Sequence, residues 1–321
     1  MPAAGDVVRM LRNNSLKSVL WEGLFFSYET LLRTHSKLRT NNGTHIYDKE
    51  WDVLIVLDAC RPDLLQEAVS QNTYDNIPST THINTTQSRS SYSKGWMEEN
   101  FCSEYVQNEH QNKLANTIYV NGNPFSETVL TDDIFENKID VWKYGWNSES
   151  DFLPARPVTD AAIESHRKKS PEKMIVHYMQ PHIPFLSTDG EVLTQGHSLS
   201  NWGDVNPDVK TEFEELRDGG STKKEVWNKY LSTLKYVLND VDLLLSSIDT
   251  ENAVISADHG NCLGEDFLYG HPRGINHPYL RTVPWLKTTG SKTSSYTPTP
   301  ISEYTTNDFS IDKQLSALGY R

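Results

Sequence analysis

The chain has 321 residues, 36% of them hydrophobic and 23% charged, with a net charge of −13. That length allows one large α/β domain or two small ones with a substantial core, and the acidic balance speaks against a nucleic-acid-binding face. Three cysteines, Cys60, Cys102 and Cys262, none closely paired, speak against a disulfide framework and suit a reducing compartment. No apolar run approaches the roughly 20 residues needed to cross a bilayer, and the N-terminus lacks a signal-peptide core, so a cytoplasmic location is expected.

Residues 1–45 read as a helical N-terminal extension that closes in a loop from Thr40 to Thr44. Within it, Val19 to Phe26 is flanked by Arg9, Arg12, Lys17 and Arg33. This basic amphipathic pattern suits peripheral contact with a membrane surface as well as packing on the domain. Val53 to Leu57, a short apolar run rich in β-branched residues, predicts a buried strand that ends in Asp58. A helix from Arg61 to Gln71 follows, with Pro62 in its first turn, where the missing N–H costs nothing. The hydroxyl-rich stretch from Pro78 to Ser93 leads into a helix from Lys94 to Phe101, with Ser93 as its N-cap.

Asn116 to Val120 predicts a strand, Asn121 to Pro124 a loop, Ile139 to Trp142 a further strand and Pro157 to Lys168 a helix. Lys173 to Met179 is a buried strand running into Gln180-Pro181-His182-Ile183-Pro184, a rigid turn that holds a histidine. The polar, Gly-rich residues 187–221 read as a cap or insertion. Thr222 with Glu225 forms a capping box for a long helix whose apolar positions, from Val226 to Ile248, share one face. Ala253 to Gly260 repeats the design of the first strand and ends in Asp258-His259. A loop to Pro278, a segment from Leu280 to Leu286, a Ser/Thr/Pro-rich linker over 288–306 and a helix from Ser310 to Leu318 complete the chain. Alternation of this kind predicts an α/β fold, a three-layer α/β/α sandwich with a mostly parallel central sheet, formed by residues 46–321 as one domain.

In open α/β sheets, ligands collect beyond the carboxyl ends of the strands. Asp58, Asp258 and His259 therefore stand where one shared divalent cation would be held, the alternatives being a helix-capping carboxylate and incidental turn residues. Ser93 is the candidate nucleophile, because a helix N-terminus beside a cation favours an alkoxide and attracts an anionic ester. Its hydroxyl reads equally well as an N-cap, and Ser90, Ser91 and Thr86 are close enough to replace it. Arg61, Arg89 and Lys94 are candidate donors for substrate oxygens. His182 reads as a site residue or as a turn histidine bonded to backbone, and His271 shares its loop with His277.

The ordered set of strand-end Asp58, Ser93 at a helix start, the Gln180-Pro181-His182 turn, Asp258-His259-Gly260 and a late His271 resembles the alkaline phosphatase/sulfatase superfamily over about residues 50 to 321. The closing Leu315-Ser316-Ala317-Leu318-Gly319-Tyr320 is similar to the last helix of many sulfatase-like chains. The resemblance implies an alkaline-phosphatase-like fold with one divalent metal, Mn, Zn or Ca, on Asp58, Asp258 and His259. It implies His271 as a ligand of a second metal where one exists, and His182 as a ligand of metal or of substrate oxygens. Gln180 stands where two-zinc members carry an aspartate, which favours a single metal and leaves Gln180 among the substrate-binding candidates. Cys60-Arg61-Pro62-Asp63-Leu64 lacks the final arginine of the formylglycine motif and lies on the metal-binding strand, so Cys60 reads as a buried strand-end residue.

The implied activity is metal-dependent hydrolysis of a phosphate or sulfate ester through a covalent intermediate on serine. The alternatives are a phosphoglycerol- or phosphoethanolamine-type transferase of the same superfamily and a non-catalytic scaffold. The expected substrate is a small-molecule, glycan-linked or lipid-linked anionic ester, with no nucleic-acid partner.

Overall fold

A computed structural model describes residues 16–147, 152–194, 210–304 and 314. The strands are β1 (Val53–Leu57), β2 (Thr85–Gln87), β3 (Thr117–Asn121), β4 (Asn137–Asp140), β5 (Lys173–Tyr178), β6 (Thr250–Ser256), β7 (Cys262–Leu263), β8 (Tyr269–Gly270) and β9 (Thr282–Gly290). The α-helices are α1 (Leu16–Lys37), α2 (Pro62–Gln71), α3 (Ser93–Met97), α4 (Glu104–Glu109), α5 (Gln111–Ala115), α6 (Ser126–Val129), α7 (Ala155–Lys169), α8 (Glu212–Arg217), α9 (Lys223–Leu245) and α10 (Pro278–Arg281).

Seven strands form one sheet in the order β2-β9-β6-β1-β5-β3-β4. The five from β6 to β4 are parallel, and β9 and β2 add antiparallel pairs at one edge. Parallel strands covered on both faces must be apolar on both, and β1, β3 and β5 are buried along their whole length. Successive side chains alternate between two cores. Val53, Ile55 and Leu57 pack with α2, α7 and α9 on one side, while Leu54 and Val56 join Trp51, Trp96, Phe101 and Tyr119 on the other. The expected α/β/α sandwich with a mostly parallel sheet is what the chain adopts.

The capping box of Thr222 and Glu225 is formed, and α9 buries its apolar stripe against the sheet. A second capping box, Thr211 with Glu214, starts α8 inside the segment read as a cap. Residues 195–209 of that segment and the expected helix from Ser310 to Leu318, apart from Gln314, lie outside the described residues.

Two elements differ from expectation. The strand placed at Ile139 to Trp142 runs instead over Asn137–Asp140 and ends in a 3₁₀ turn, Val141–Lys143. The Asp140 carboxylate there accepts from Ser126 Oγ at 2.7 Å, and Trp142 Nε1 donates to Ser126 Oγ at 3.1 Å, which turns the chain off the sheet. The segment from Leu280 opens as the short α10, with the Arg281 guanidinium turned inward to the Ser88 carbonyl at 2.7 Å. The linker also begins later than expected, since β9 continues to Gly290. Its distal part is fastened, with Tyr296 and Tyr304 donating to the two oxygens of buried Asp160 at 2.7 and 3.0 Å.

Helix α1 lies along the loop that follows β6. Tyr28 Oη donates to the Asp266 carbonyl at 3.0 Å, Arg33 Nε to the Arg273 carbonyl at 2.8 Å, and Ser36 Oγ accepts from Asn276 N at 2.8 Å. Leu24 and Leu31 of this helix, and Leu38 just after it, remain exposed. No helix among the described residues is long and apolar enough to cross a membrane.

Candidate active site

The two aspartates meet because of strand register. Val56 of β1 pairs with Ser256 of β6, and each aspartate lies two residues further on. Both carboxylates and the His259 ring are fully buried, and one ligand atom from each of the three lies within 4.8 Å of the others. The chain leaves β1 through Ala59, whose φ of 63° is left-handed. That turn aims the Ala59 N–H at Asp258 Oδ1, 3.0 Å away. Gly260 has no room for a side chain, since a Cβ there would stand 2.3 Å from the Tyr279 carbonyl oxygen.

Ser93 is the first residue of α3, and the N-cap position belongs to Tyr92, which makes no side-chain capping bond. The Ser93 hydroxyl is therefore not spent on its own helix. It donates to Asp58 Oδ2 at 3.1 Å and lies 3.3 Å from His259 Nε2. Trp96, one turn along, buries its ring against His177 and Phe101, which fixes the helix over the strand ends.

The donor set suits a divalent cation. Asp58 Oδ1 and Asp258 Oδ2 are buried without a hydrogen-bond partner, so two carboxylate oxygens face inward unsatisfied. His259 Nδ1 lies 2.9 Å from the Gly260 carbonyl, an acceptor that orients the ring so that Nε2 faces both carboxylates, 3.5 and 3.6 Å away. Two carboxylate oxygens and one imidazole nitrogen are ligands that zinc or manganese accepts. Burial and the neighbouring Asp258 push the Asp58 carboxyl far above the usual carboxylate range. Burial also works to raise Asp258, but His259, His177 and the Ala59 N–H outweigh it and hold that carboxyl below the usual range. Two buried carboxylates in this proximity repel one another unless a cation stands between them.

Two further residues of the site are not among the sequence candidates. Asn123, just past β3, donates from Nδ2 to Asp58 Oδ2 at 3.0 Å. His177, inside β5, bonds to the Tyr119 hydroxyl through Nδ1 at 2.8 Å and turns Nε2, without a hydrogen-bond partner, towards Asp258 Oδ2 at 3.8 Å.

The β7–β8 hairpin returns His271 to the site, where its ring centroid is 4.7 Å from that of His259 and 5.0 Å from that of His182. His271 Nδ1 is 2.8 Å from Asn261 Oδ1, and His182 Nδ1 is 2.8 Å from the Ile183 carbonyl. Burial lowers His182 to about 4, and burial with two neighbouring imidazoles takes His271 well below the usual histidine value. Both rings are neutral at pH 7.

Both arginines expected as donors have partners within the protein. Arg61 is buried, ion-paired with Asp63 at 2.6 Å and Glu265 at 3.0 Å, and stacked on Tyr279. Arg89 pairs with Glu99 at 2.7 Å and bonds the Asn41 and Gly43 carbonyls. Each guanidinium holds two segments together. Lys94 is half-buried on the second residue of α3, and buried Gln180 donates to the Leu153 carbonyl at 2.7 Å.

Carboxylates, an imidazole and a serine hydroxyl gathered beyond the C-terminal ends of a parallel sheet define an α/β/α protein with a buried group able to hold a divalent cation. No family model and no curated protein matches the chain. Solved structures similar to it include the integral membrane protein lipooligosaccharide phosphoethanolamine transferase A from Neisseria meningitidis, at 14% identity and a TM-score of 0.47, covering 90% of this chain and 59% of that one. Another is the C-terminal periplasmic domain of phosphoethanolamine transferase EptC from Campylobacter jejuni, at 15% identity and a TM-score of 0.44, covering 75% of this chain and 79% of that one. A putative sulfatase from Bacteroides thetaiotaomicron matches at 12% identity and a TM-score of 0.38, covering 84% of this chain and 71% of that one. All three neighbours belong to the alkaline phosphatase/sulfatase superfamily, which the sequence resembles. The chain spans 59% of the length of the first of them.

Proposed function

We propose that this protein is a metal-dependent enzyme of phosphate or sulfate esters that uses Ser93 as its nucleophile. The observation that supports this most directly is the Ser93 hydroxyl, buried, unused by its own helix and bonded to Asp58 beside His259. A divalent cation on Asp58, Asp258 and His259 would neutralise charge on the ester oxygens and favour ionisation of a neighbouring hydroxyl.

The chain's own residues then have separate tasks. Asp58 Oδ2 is the acceptor within reach of the Ser93 proton, and Asn123 holds that same oxygen in place. Ser93 Oγ forms a bond to the central phosphorus or sulfur, the bond to the ester oxygen breaks, and the alcohol leaves with a proton. Water or an acceptor hydroxyl then takes the group from Ser93. Hydrolysis and phosphoethanolamine-type transfer share the first half and differ in that acceptor, so product analysis with added alcohol separates them.

The test uses aryl phosphate and sulfate turnover together with thermal unfolding in divalent cation. A cation at 100 times its Kd stabilises the wild type by about 2.7 kcal/mol. Ser93→Ala should lose turnover and keep that stabilisation, whereas Asp258→Asn should lose both. Full turnover in Ser93→Ala removes Ser93 from the mechanism, and an undiminished cation effect in Asp258→Asn removes the shared cation.

A further inference from the structure

The large hydrophobic side chains that the described residues expose are concentrated in two neighbouring segments. Leu24, Phe26, Leu31 and Leu38 lie on or just after α1, and Phe267 and Tyr279 lie in the stretch that leads from β7 to β9; Tyr105 alone stands elsewhere. Printed contacts join the two segments into one edge. Leu24 and Leu31 are four residues before and three after Tyr28, so the three share a stripe of the helix. Tyr28 Oη donates to the Asp266 carbonyl, which brings that stripe to Phe267. The Asp266 carboxylate is 3.0 Å from His277 Nε2, and the His277 ring stacks on Tyr279.

Phe267 is held in this edge against its own backbone preference. Asp266 and Phe267 have φ of 48° and 57°, left-handed values that a bulky side chain rarely adopts. Core packing does not account for this, because Phe267 is 67% exposed. An aromatic ring kept in solvent by a strained turn, beside two exposed leucines, points to a surface that something else covers.

Charge says what that is. Residues 1–39 carry six basic side chains and three acidic ones, so the rest of the chain holds −16 of a total of −13. Lys37 and Arg39 are exposed past the leucines, and exposed Arg273 adjoins Arg33, whose Nε bonds its carbonyl. An acidic body with one basic, apolar end is repelled by an anionic surface everywhere except at that end. We infer that α1 and the loop from Glu265 to Tyr279 form a docking face for an anionic lipid bilayer, with Leu24, Leu31 and Phe267 entering the interface and the basic residues meeting headgroups. The same loop carries His271, and its Pro272 carbonyl and Gly274 N–H both bond Ser91 Oγ, two residues before Ser93. Docking therefore sets against the lipid a loop that is fastened beside the candidate nucleophile.

Co-sedimentation of the full chain with vesicles of phosphatidylcholine, alone or with about 30% phosphatidylglycerol, tests the inference. The wild type should pellet with the anionic vesicles and be released by raised salt. Phe267→Gly, at a φ that glycine adopts freely, should weaken binding about tenfold while the melting temperature holds or rises. Leu24→Ser with Leu31→Ser should weaken binding at least as much, and Lys37→Glu with Arg39→Glu should remove the preference for anionic vesicles. A wild type that stays in the supernatant, or binding that survives both apolar changes, would overturn the inference. Sedimentation velocity without lipid checks the other occupant: a dimer that Leu24→Ser with Leu31→Ser dissociates would assign the face to a second copy of the chain and overturn the lipid. Ser93→Ala should bind vesicles as the wild type does, which keeps a failure of the ester chemistry separate from a failure of the docking face.

Discussion

Replacing His177 with phenylalanine separates packing from positioning at the candidate cation site. The ring of His177 lies edge-on to Trp96 at 5.4 Å, and phenylalanine keeps that contact. The substitution removes the 2.8 Å bond with Tyr119 and the nitrogen that faces Asp258 Oδ2. Leaving the buried Tyr119 hydroxyl without its partner should cost about 1–3 kcal/mol of stability in the cation-free protein. Loss of the group that orients a ligating carboxylate typically weakens metal binding by about 10- to 100-fold. Urea unfolding of the cation-free protein measures the first effect, and calorimetric titration with Zn²⁺ or Mn²⁺ measures the second. Tyr119→Phe, one step further from Asp258, should show the stability loss with a smaller change in affinity. If His177→Phe loses stability yet binds the cation as tightly as the wild type, His177 only fills space and the positioning argument is wrong.

Two further predictions concern the surroundings of the site. Burial works to raise Glu265, but Lys223, the Leu263 N–H and Arg61 outweigh it and hold its carboxyl at about 2, against 4.5 when unperturbed. A depressed carboxylate contributes its full stability above the unperturbed value and loses it as pH falls towards the folded one. Glu265→Gln should therefore be less stable than wild type at pH 6, with the gap closing between pH 4.5 and about 2, as followed by urea unfolding across that range; a gap as wide at pH 3 would contradict the assignment. Ala59→Val puts a β-branched residue at a φ of 63°, which should cost about 1–3 kcal/mol and weaken cation binding through the Ala59 N–H. An unchanged melting temperature in that variant would show that the turn carries no constraint.

The sheet was legible because buried parallel strands leave continuous apolar runs, and those at Val53–Leu57 and Lys173–Tyr178 are bounded by polar residues. Asp58, Asp258 and His259 stood out because they end two such runs in the same way. Ser93 was identifiable as a residue at a helix start, but sequence could not say that Tyr92 would take the capping position and free its hydroxyl. Asn123 was hidden in Asn121-Gly122-Asn123-Pro124, which has the composition of any turn. His177 offered a signal that went unread, since an ionisable ring within an apolar central strand is costly to bury without a partner. Which partner it meets depends on register, with Asn121 on one side and Val56 on the other. The ion pairs of Arg61 and Arg89 were not legible, because closeness along the chain does not reveal where a guanidinium is held. Their partners Asp63, Glu265 and Glu99 are unremarkable acidic residues until the fold places them.

The register that pairs Val56 with Ser256 has a consequence for how this site tolerates change. Neighbouring strands stand about 4.8 Å apart whatever the connections between them do. The spacing of the two aspartates is therefore inherited from the sheet, and insertions in the connecting loops should leave it intact. Loss of one residue within β1 or β6 would be different, because each such slip turns every following side chain to the opposite face. Variation in length among descendants of this chain should accumulate between the strands and stop at their ends.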